Sequence, residues 1–432
     1  MTPQSQFTVV ASLAAGREAE LRALLDTMNS PPGMADPHNA VLPFGEFDGL
    51  HFARLAVLTD ATMADLETHG LPRPGVPTYL ALMGDCDGSS REVLSELARR
   101  ADAGLRRLFS HCEGFDPSSD LLAWMLAHDR PVAANYVNWV GRTVRQAKEE
   151  RALARALRAK VSREPFAANV SASQRRDALI AFVEKEKRAG RLALTPPAPT
   201  PLGWRLANIA HAILVPLLGL IALPFVLVLL PLLIVMLRTR ETRDPEVCPR
   251  PKAEAMRAMQ RLEDHDVTNQ FTALGPLKPG LFRRWLLSVL LFLLDYACRH
   301  IVTRGHLGRV QTIHFARWVF LDRKARVLFA SNYDGGHEAY MDDFINKVGW
   351  GLNLLFSNGF GWPRTDWLVL GGARRELSFK HYQRGHQLPS QVWYNAHPGL
   401  TVADLKRNLR IREGLERAEM SDADALAWLR LL

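Results

Sequence analysis

The chain has 432 residues, of which 23% are charged and 47% hydrophobic, a composition that excludes a largely disordered protein. Its formal net charge is +9, and residues 142–191 alone carry 14 Lys and Arg against 6 Asp and Glu. Four scattered cysteines show no CxxC or Cys/His zinc spacing and fit a reducing cytoplasm better than a disulfide framework. The first ten residues contain neither a basic nor an apolar stretch, so we expect no signal peptide.

Residues 1–143 are predicted to form a first folding unit with the element order β-α-β-β-α-β, which is the ferredoxin-like pattern. Its apolar periodicity indicates four strands at 7–13, 50–58, 78–83 and 132–139, a helix after Gly16, and a second helix over 91–109. The second strand is apolar on both faces, as expected of a central strand that is covered on two sides.

Residues 144–203 predict a basic helical linker. Two amphipathic helices are expected at 143–160 and 174–191, followed by a stretch that is rich in proline. The charge excess of this segment favours contact with anionic lipid headgroups, because each Lys or Arg near such a surface contributes about 1 kcal/mol. No RNA-binding or zinc-finger signature accompanies it, so no nucleic-acid partner is predicted.

Residues 204–240 predict a membrane hairpin or a membrane span, and 241–264 a connector. The run 212–237 contains 26 residues without a charge, which exceeds the length needed to cross a bilayer. Pro224 favours a re-entrant hairpin bent at that residue, and basic residues at both ends favour keeping both ends in the cytoplasm. A single span that returns through the apolar helix 281–298 is the alternative.

Residues 265–432 predict a second unit that repeats the first. Gln6-Phe7-Thr8 recurs as Gln270-Phe271-Thr272, and His51-Phe52-Ala53-Arg54 recurs as His314-Phe315-Ala316-Arg317. Strands are expected near Phe271 and at 312–321, 327–331 and 391–395, with a first helix at 281–298 and a second at 338–355.

These paired units resemble the dimeric α+β barrel superfamily, in which dye-decolorising peroxidases and chlorite-dismutase-like proteins join two ferredoxin-like units. The block 314–344 also resembles stretches of uncharacterised bacterial membrane-associated proteins. The resemblance implies an α+β fold with two tandem repeats that form one intramolecular barrel, plus an inserted membrane segment. Residues 84–88 and 331–335 depart from the GxxDG motif of the peroxidases, so no haem ligand is carried over.

Two polar pairs recur in both units and are predicted to be mainly structural. Arg54 and His51 of the first unit match Arg317 and His314 of the second, in the middle of apolar strands. A buried arginine requires a carboxylate or a bound anion, and Asp87 and its counterpart Asp334 are the expected partners. Because Arg317 and Asp334 lie in the unit that is richer in aromatic residues, they are also candidate ligand-binding residues.

Residues that differ between the units are the better functional candidates. The candidate catalytic residues are His337, Glu338, Tyr340 and Asp342, which follow the second Asp-Gly turn. The candidate ligand-binding residues in the Tyr- and Trp-rich end of the chain are His381, His386 and His397. No metal site is predicted, and a haem, if one binds, would take one of these histidines or His337 as its axial ligand.

The sequence therefore favours a membrane-associated oxidoreductase, peroxidase-like, that acts on an apolar or lipid-derived substrate. The alternative is a non-catalytic protein that binds lipid or a small apolar ligand on the same scaffold. Either would reside at the cell membrane with its folded units facing the cytoplasm. Substrate, cofactor and oligomeric state stay open at the level of sequence.

Overall fold

The computed structural model describes residues 1–244, 248–302, 307 and 309–432 and shows a mixed α+β protein with two main sheets. The strands are β1 (Gln4–Ser12), β2 (Gly33–Met34), β3 (Leu50–Leu58), β4 (Tyr79–Asp87), β5 (Val132–Val137), β6 (Thr268–Pro276), β7 (Ile313–Leu321), β8 (Arg326–Asp334), β9 (Thr365–Asp366), β10 (Leu370–Gly371) and β11 (Ser390–Asn395). The first sheet has the order β1-β4-β3-β11-β2, the second β5-β7-β8-β6, and β9 pairs with β10.

The last long strand of each half pairs with the other half of the chain. β5 comes from the N-terminal half but lies antiparallel to β7, whereas β11 comes from the C-terminal half and lies antiparallel to β3. Single bridges also join Val9 to Asp129 and Ala273 to Gln387, so the start of each exchanged segment still touches its own half. The two halves therefore interlock through strand pairing.

Apolar side chains fill the layer between the two sheets. Val10, Ala56 and Met83 from the first sheet meet Val319 and Leu328 from the second, and all five are almost fully buried. This contact explains why β3 is buried at every position, since its other face is covered by helices. The prediction that this strand is central is confirmed.

Helices surround the sheets and occupy the connections between strands. They are α1 (Glu18–Asp26), α2 (Ala64–Thr68), α3 (Ser90–Arg100), α4 (Asp102–Phe109), α5 (Leu121–His128), α6 (Val144–Arg163), α7 (Ala172–Arg188), α8 (Leu202–Glu241), α9 (Ala253–Gln260), α10 (Leu281–His300), α11 (His337–Phe356), α12 (Glu376–His386), α13 (Val402–Glu416) and α14 (Asp422–Leu429). The two basic helices α6 and α7 pack through Leu153, Leu157 and Leu179 against Ile411 and Trp428 of the C-terminal helices.

The predicted helix over 91–109 is wrong in one respect, because the chain forms two helices there. The backbone breaks at Ala101, between α3 and α4. A Cβ on Gly104 would lie 1.6 Å from the Val41 carbonyl oxygen. Only glycine therefore permits α4 to approach the loop that contains Val41 this closely. The break redirects α4 so that Leu105 and Leu108 are buried.

The predicted hairpin at Pro224 is also wrong, because α8 is one helix of 40 residues. Pro216, Pro224 and Pro231 all lie inside it. A proline removes one backbone hydrogen bond and kinks a helix, but an apolar chain of this length gains more by keeping the remaining hydrogen bonds than by breaking. At 1.5 Å per residue α8 would be about 60 Å long if it were straight.

Candidate functional site

Two buried arginines cross between the sheets. Arg54 projects from β3 to the opposite sheet, where its Nη1 donates to the Phe271 carbonyl (2.8 Å) and to Thr272 Oγ1 (2.9 Å). Its Nη2 donates to the Ser331 carbonyl (2.9 Å) and to Asn332 Oδ1 (2.6 Å). The guanidinium therefore ties β3 to the backbones of both β6 and β8.

Arg317 makes the reciprocal connection from β7 to the first sheet. Its Nη1 donates to the Phe7 carbonyl (2.6 Å), and its Nη2 donates to Asp85 Oδ1 (2.5 Å). The same carboxylate accepts a hydrogen bond from Gln6 Nε2 (2.6 Å) and another from Asn332 Nδ2 (3.0 Å). One aspartate thus links the two arginine clusters.

The expected partners of these arginines were wrong. Asp87 and Asp334 contact histidines, and the carboxylate that contacts Arg317 is Asp85. Asp85 takes the place expected for Asp87 because Asp85 points into the layer between the sheets, whereas Asp87 lies at the end of β4. The repeat itself held a signal for Asp85, since an asparagine occupies the matching place in the second unit.

The centre of the molecule holds two guanidiniums and one carboxylate. Asp85 lies opposite Gln6 in its sheet, and Asn332 lies opposite Gln270 in the other. Burial lowers the pKa of Arg54 to about 9, and the nearby charge of Arg317 acts in the same direction. Carbonyl and hydroxyl oxygens supply most of the acceptors, so both guanidiniums find hydrogen-bond partners within the protein without a ligand.

The two His–Asp pairs hold helix starts to the sheets. His51 Nε2 lies 3.0 Å from Asp87 Oδ1, and His314 Nε2 lies 2.6 Å from Asp334 Oδ1. The other oxygen of each carboxylate accepts the first backbone N–H of α6 or of α13. A carboxylate at a helix start is stabilising, which accounts for these residues structurally.

His397 is enclosed by aromatic rings beside the first of these pairs. Its Nε2 lies 3.1 Å from His51 Nδ1, and its ring centroid lies 5.0 Å from that of Trp139. Burial, followed by the charge of His51, holds the pKa of His397 well below its ordinary value. Its packing leaves this candidate ligand-binding residue inside the core.

Two of the predicted catalytic residues are buried in the second half. His337 is 3% exposed, and burial lowers its pKa to about 3. The Tyr340 hydroxyl lies 2.9 Å from Ser331 Oγ, and its ring stacks on Tyr333 with centroids 3.8 Å apart. Burial raises the pKa of Tyr340. Both residues therefore lack contact with solvent in this structure.

The other two predicted catalytic residues face solvent. Glu338 and Asp342 lie 3.3 Å and 2.8 Å from Lys380 Nζ, which also contacts Glu376 at 2.9 Å. These hydrogen bonds raise the pKa of Lys380. His337 Nδ1 is 3.5 Å from Glu338 Oε1, too long for a good hydrogen bond. The four residues consequently do not meet in one cleft.

The histidines considered as axial ligands do not fit a haem. His386 borders an apolar pocket of about 30 Å³ together with Tyr382 and Gly275, which is space for about one water molecule. His337 and His397 are enclosed in the core, and His381 lies half-buried on α12. A macrocycle would need a far larger cavity beside one of these imidazoles, so no catalytic step is assigned to haem.

The most unusual surface of the described structure is the middle of α8. Every residue from 216 to 232 is exposed, including twelve large apolar side chains. These are Leu217, Leu218, Leu220, Ile221, Leu223, Phe225, Val226, Leu227, Val228, Leu229, Leu230 and Leu232. α10 adds a smaller apolar surface, with Leu281 and Trp285 exposed by 83% and 51%. Soluble proteins rarely expose an apolar patch of this extent.

Both ends of α8 contact the same helix, α10, and the two helices are antiparallel. Near its start, Asn208 Oδ1 accepts a hydrogen bond from Arg299 Nε (2.6 Å). Near its end, the Arg240 guanidinium lies 4.8 Å from the ring centre of Phe282. Asn208 and Arg240 are about 48 Å apart along α8, whereas their partners on α10 are about 26 Å apart along that helix. Side-chain reach covers part of the difference, and the exposed middle of α8 stands away from the protein.

A basic cleft that sequence reasoning missed lies at the end of α8. The cleft has a volume of about 290 Å³ and is bordered by four cationic side chains and one carboxylate. The charged residues that border it are Arg240, Arg243, Lys278, Arg283 and Asp244. The only sequence signal was the group of arginines after the apolar run, because Lys278 and Arg283 join them only when α10 packs beside α8.

The protein is thus a mixed α+β protein that carries one long apolar helix on its surface. No family model, no curated protein and no solved structure matches the chain.

Proposed function

We propose that this is a monotopic membrane protein that binds lipid, with the middle of α8 immersed in one leaflet of the bilayer. The observation that carries this proposal is that every residue from 216 to 232 is exposed. Moving a leucine-sized side chain from water into hydrocarbon gains roughly 1.5–3 kcal/mol. Twelve such side chains, each partly exposed, supply enough free energy to hold the protein on a membrane.

The anchoring of α8 favours one leaflet over a full crossing. Asn208 and Arg240 both contact α10, and α10 itself packs against β5 of the folded core. A crossing would place the two ends of α8 on opposite sides of a hydrocarbon layer that is about 30 Å thick. Both ends of α8 are instead tied to the folded core through α10, and basic residues at both ends suit the cytoplasmic face of the cell membrane.

We infer further that the two halves are tandem ferredoxin-like units that close one barrel. The strand exchange of β5 and β11 supports this inference, because it makes each sheet depend on both halves. The bridges Val9–Asp129 and Ala273–Gln387 then connect the remaining sheet edges. This arrangement would keep the folded units together on the same side of the membrane.

Lipid binding is proposed in preference to the oxidoreductase activity, which stays a prediction from the sequence. The expected catalytic residues are divided between the core at His337 and Tyr340 and the surface at Glu338 and Asp342. The large exposed apolar surface, in contrast, has no role in a soluble enzyme. Lipid is therefore the partner that the geometry supports.

Flotation on neutral phosphatidylcholine vesicles tests the membrane proposal. We expect wild-type protein to float and L220E/V228E to remain in the dense fraction, because a carboxylate in hydrocarbon costs several kcal/mol. The matched control is L377E/L426E, which changes two exposed leucines elsewhere and should float. If L220E/V228E floats like wild type, α8 is not the membrane anchor.

Labelling of cysteines at the two ends of α8 tests the one-leaflet arrangement. Leu202→Cys and Thr239→Cys, each in a Cys248→Ser background, occupy exposed positions of α8. Reaction of both with an impermeant maleimide from the same side of sealed vesicles is expected. Reaction from opposite sides would show that α8 crosses the bilayer.

A further inference from the structure

The basic cleft combines buried and exposed cations around a single acid. Lys278 and Arg283 are 7% and 1% exposed, whereas Arg243 is exposed. Lys278 Nζ and Arg283 Nη2 both donate to one oxygen of Asp244, at 2.5 Å and 2.9 Å. In the part of the chain that the structure describes, four cations therefore face one carboxylate, a formal excess of three positive charges in the cleft.

The cleft also contains a donor without an acceptor. Among the described residues, nothing accepts a hydrogen bond from Arg283 Nη1, although this atom is buried. Leaving such a donor unsatisfied costs about 1–3 kcal/mol, and more when it is charged. Burial lowers the pKa of Lys278 to about 8, and the nearby charge of Arg283 acts in the same direction.

Among the described residues, a second acid near the end of α8 is already engaged elsewhere. Glu241 is buried and accepts hydrogen bonds from Thr365 Oγ1 and the Leu368 N–H, at 2.9 Å and 2.7 Å. Its Oε2 also pairs with Arg238 at 2.7 Å. Glu241 is therefore oriented toward the β9 region, and within the described part of the chain the side chains of Lys278 and Arg283 donate only to Asp244.

We propose that the basic cleft binds the phosphate group of a lipid headgroup, with a phosphomonoester as the preferred form. A phosphomonoester offers three acceptor oxygens and close to two negative charges, which match a cluster of Lys and Arg donors. The space equals about ten water molecules at about 30 Å³ each, enough for a phosphate and its glycerol. Carboxylates offer fewer acceptors and less charge.

The position of the cleft identifies a lipid as the source of the phosphate. Arg240 follows the exposed apolar run of α8 by eight residues, which is about 12 Å along a helix. With α8 in the leaflet, the cleft would lie at headgroup depth. This assignment rests on the proposed membrane function, whereas the charge and the unsatisfied donor of the cleft do not depend on it.

Titration of detergent-solubilised full-length protein with soluble short-chain lipids tests the site. Dihexanoyl phosphatidic acid should bind at least tenfold more tightly than dihexanoyl phosphatidylcholine and than inorganic phosphate. R240Q/R243Q should weaken phosphatidic acid binding by about tenfold or more, since charged hydrogen bonds are lost. R91Q/R99Q removes two exposed charges from α3 and should keep the wild-type affinity.

Each alternative result has a defined meaning. Equal affinity for inorganic phosphate would overturn the lipid source, and equal affinity for phosphatidylcholine would overturn the preference for a phosphomonoester. Retention of wild-type affinity by R240Q/R243Q would also overturn the site, and circular dichroism must show that this variant is folded. Flotation on neutral vesicles is unaffected by these outcomes, so failure of the site is distinguishable from failure of the membrane proposal.

Discussion

Asp85 is connected to both buried arginines at the centre of the protein. It is 2% exposed, contacts Arg317 directly, and reaches Arg54 through the Asn332 side chain. Removing one member of a buried ion pair leaves an uncompensated charge, which costs more than the pair itself contributes. The two arginines therefore make the fold sensitive to this one carboxylate.

Asp85→Asn should lower the free energy of unfolding by about 3–5 kcal/mol, because it leaves two buried guanidiniums without a carboxylate. Urea denaturation followed by circular dichroism measures the change. Asp102→Asn is the matched control, since Asp102 is half-exposed and pairs with Arg106 at the surface. The control should change stability by no more than about 0.5 kcal/mol. Similar losses in both variants would contradict the central role of Asp85.

His337 should make the protein sensitive to acid. Burial holds its folded-state pKa near 3, below the ordinary value of 6.5, so between these pH values the unfolded chain binds a proton that the folded chain does not. Unfolding therefore becomes easier as the pH falls through this window, by up to about 1.4 kcal/mol per pH unit. Above pH 7 the contribution disappears, since both states are neutral.

Comparison of wild type with His337→Leu between pH 7 and pH 4 isolates this effect. The variant should lose less stability over that range, whereas His38→Leu, which replaces an exposed histidine, should follow the wild-type curve. Parallel curves for all three proteins would mean that His337 is accessible to protons in the folded state.

At the scale of elements, the exchanged strands β5 and β11 decide how the chain must fold. Residues 1–200 contain β3 but not its neighbour β11, and residues 201–432 contain β7 but not its neighbour β5. Each half alone would expose the long edge of a buried strand, which is a template for aggregation. Neither half therefore has the strand complement that its own sheet requires.

Fragments 1–200 and 201–432 should each be insoluble or lack cooperative unfolding when produced alone. When they are co-expressed in detergent, they should copurify as a one-to-one complex, because each supplies the other's missing strand. Thermal denaturation and gel filtration provide the measurements. A monomeric fragment 1–200 with a cooperative transition would contradict the dependence on exchanged strands.

At the scale of the whole molecule, charge and apolar surface are distributed unequally. The exposed middle of α8, the apolar surface of α10 and the basic cleft share one region, which favours a single orientation at a membrane. The predicted role of residues 142–191 at anionic lipid stays a prediction. Part of their charge is used internally, since Arg176 donates to the carbonyls of Gly414 and Leu415 in the core.

The sequence by itself determined the eight longer strands, the basic helices and the apolar segment, because hydrophobic periodicity and the absence of charge are local properties. Leu50–Leu58 was predicted with its observed bounds. Tertiary structure alone decided which acid meets which base. Asp85 rather than Asp87 faces Arg317 because the direction of a side chain depends on sheet packing.

The same reason explains why the basic cleft could not be predicted. Lys278 and Arg283 lie more than thirty residues beyond Arg240 in the chain and reach it only through the contact between α8 and α10. Likewise, proline content favoured a hairpin, but the cost of unsatisfied backbone groups and the two anchors on α10 kept α8 as one helix. Composition specified an apolar segment, whereas the position of α8 on the protein depends on the residues of α10 that contact its two ends.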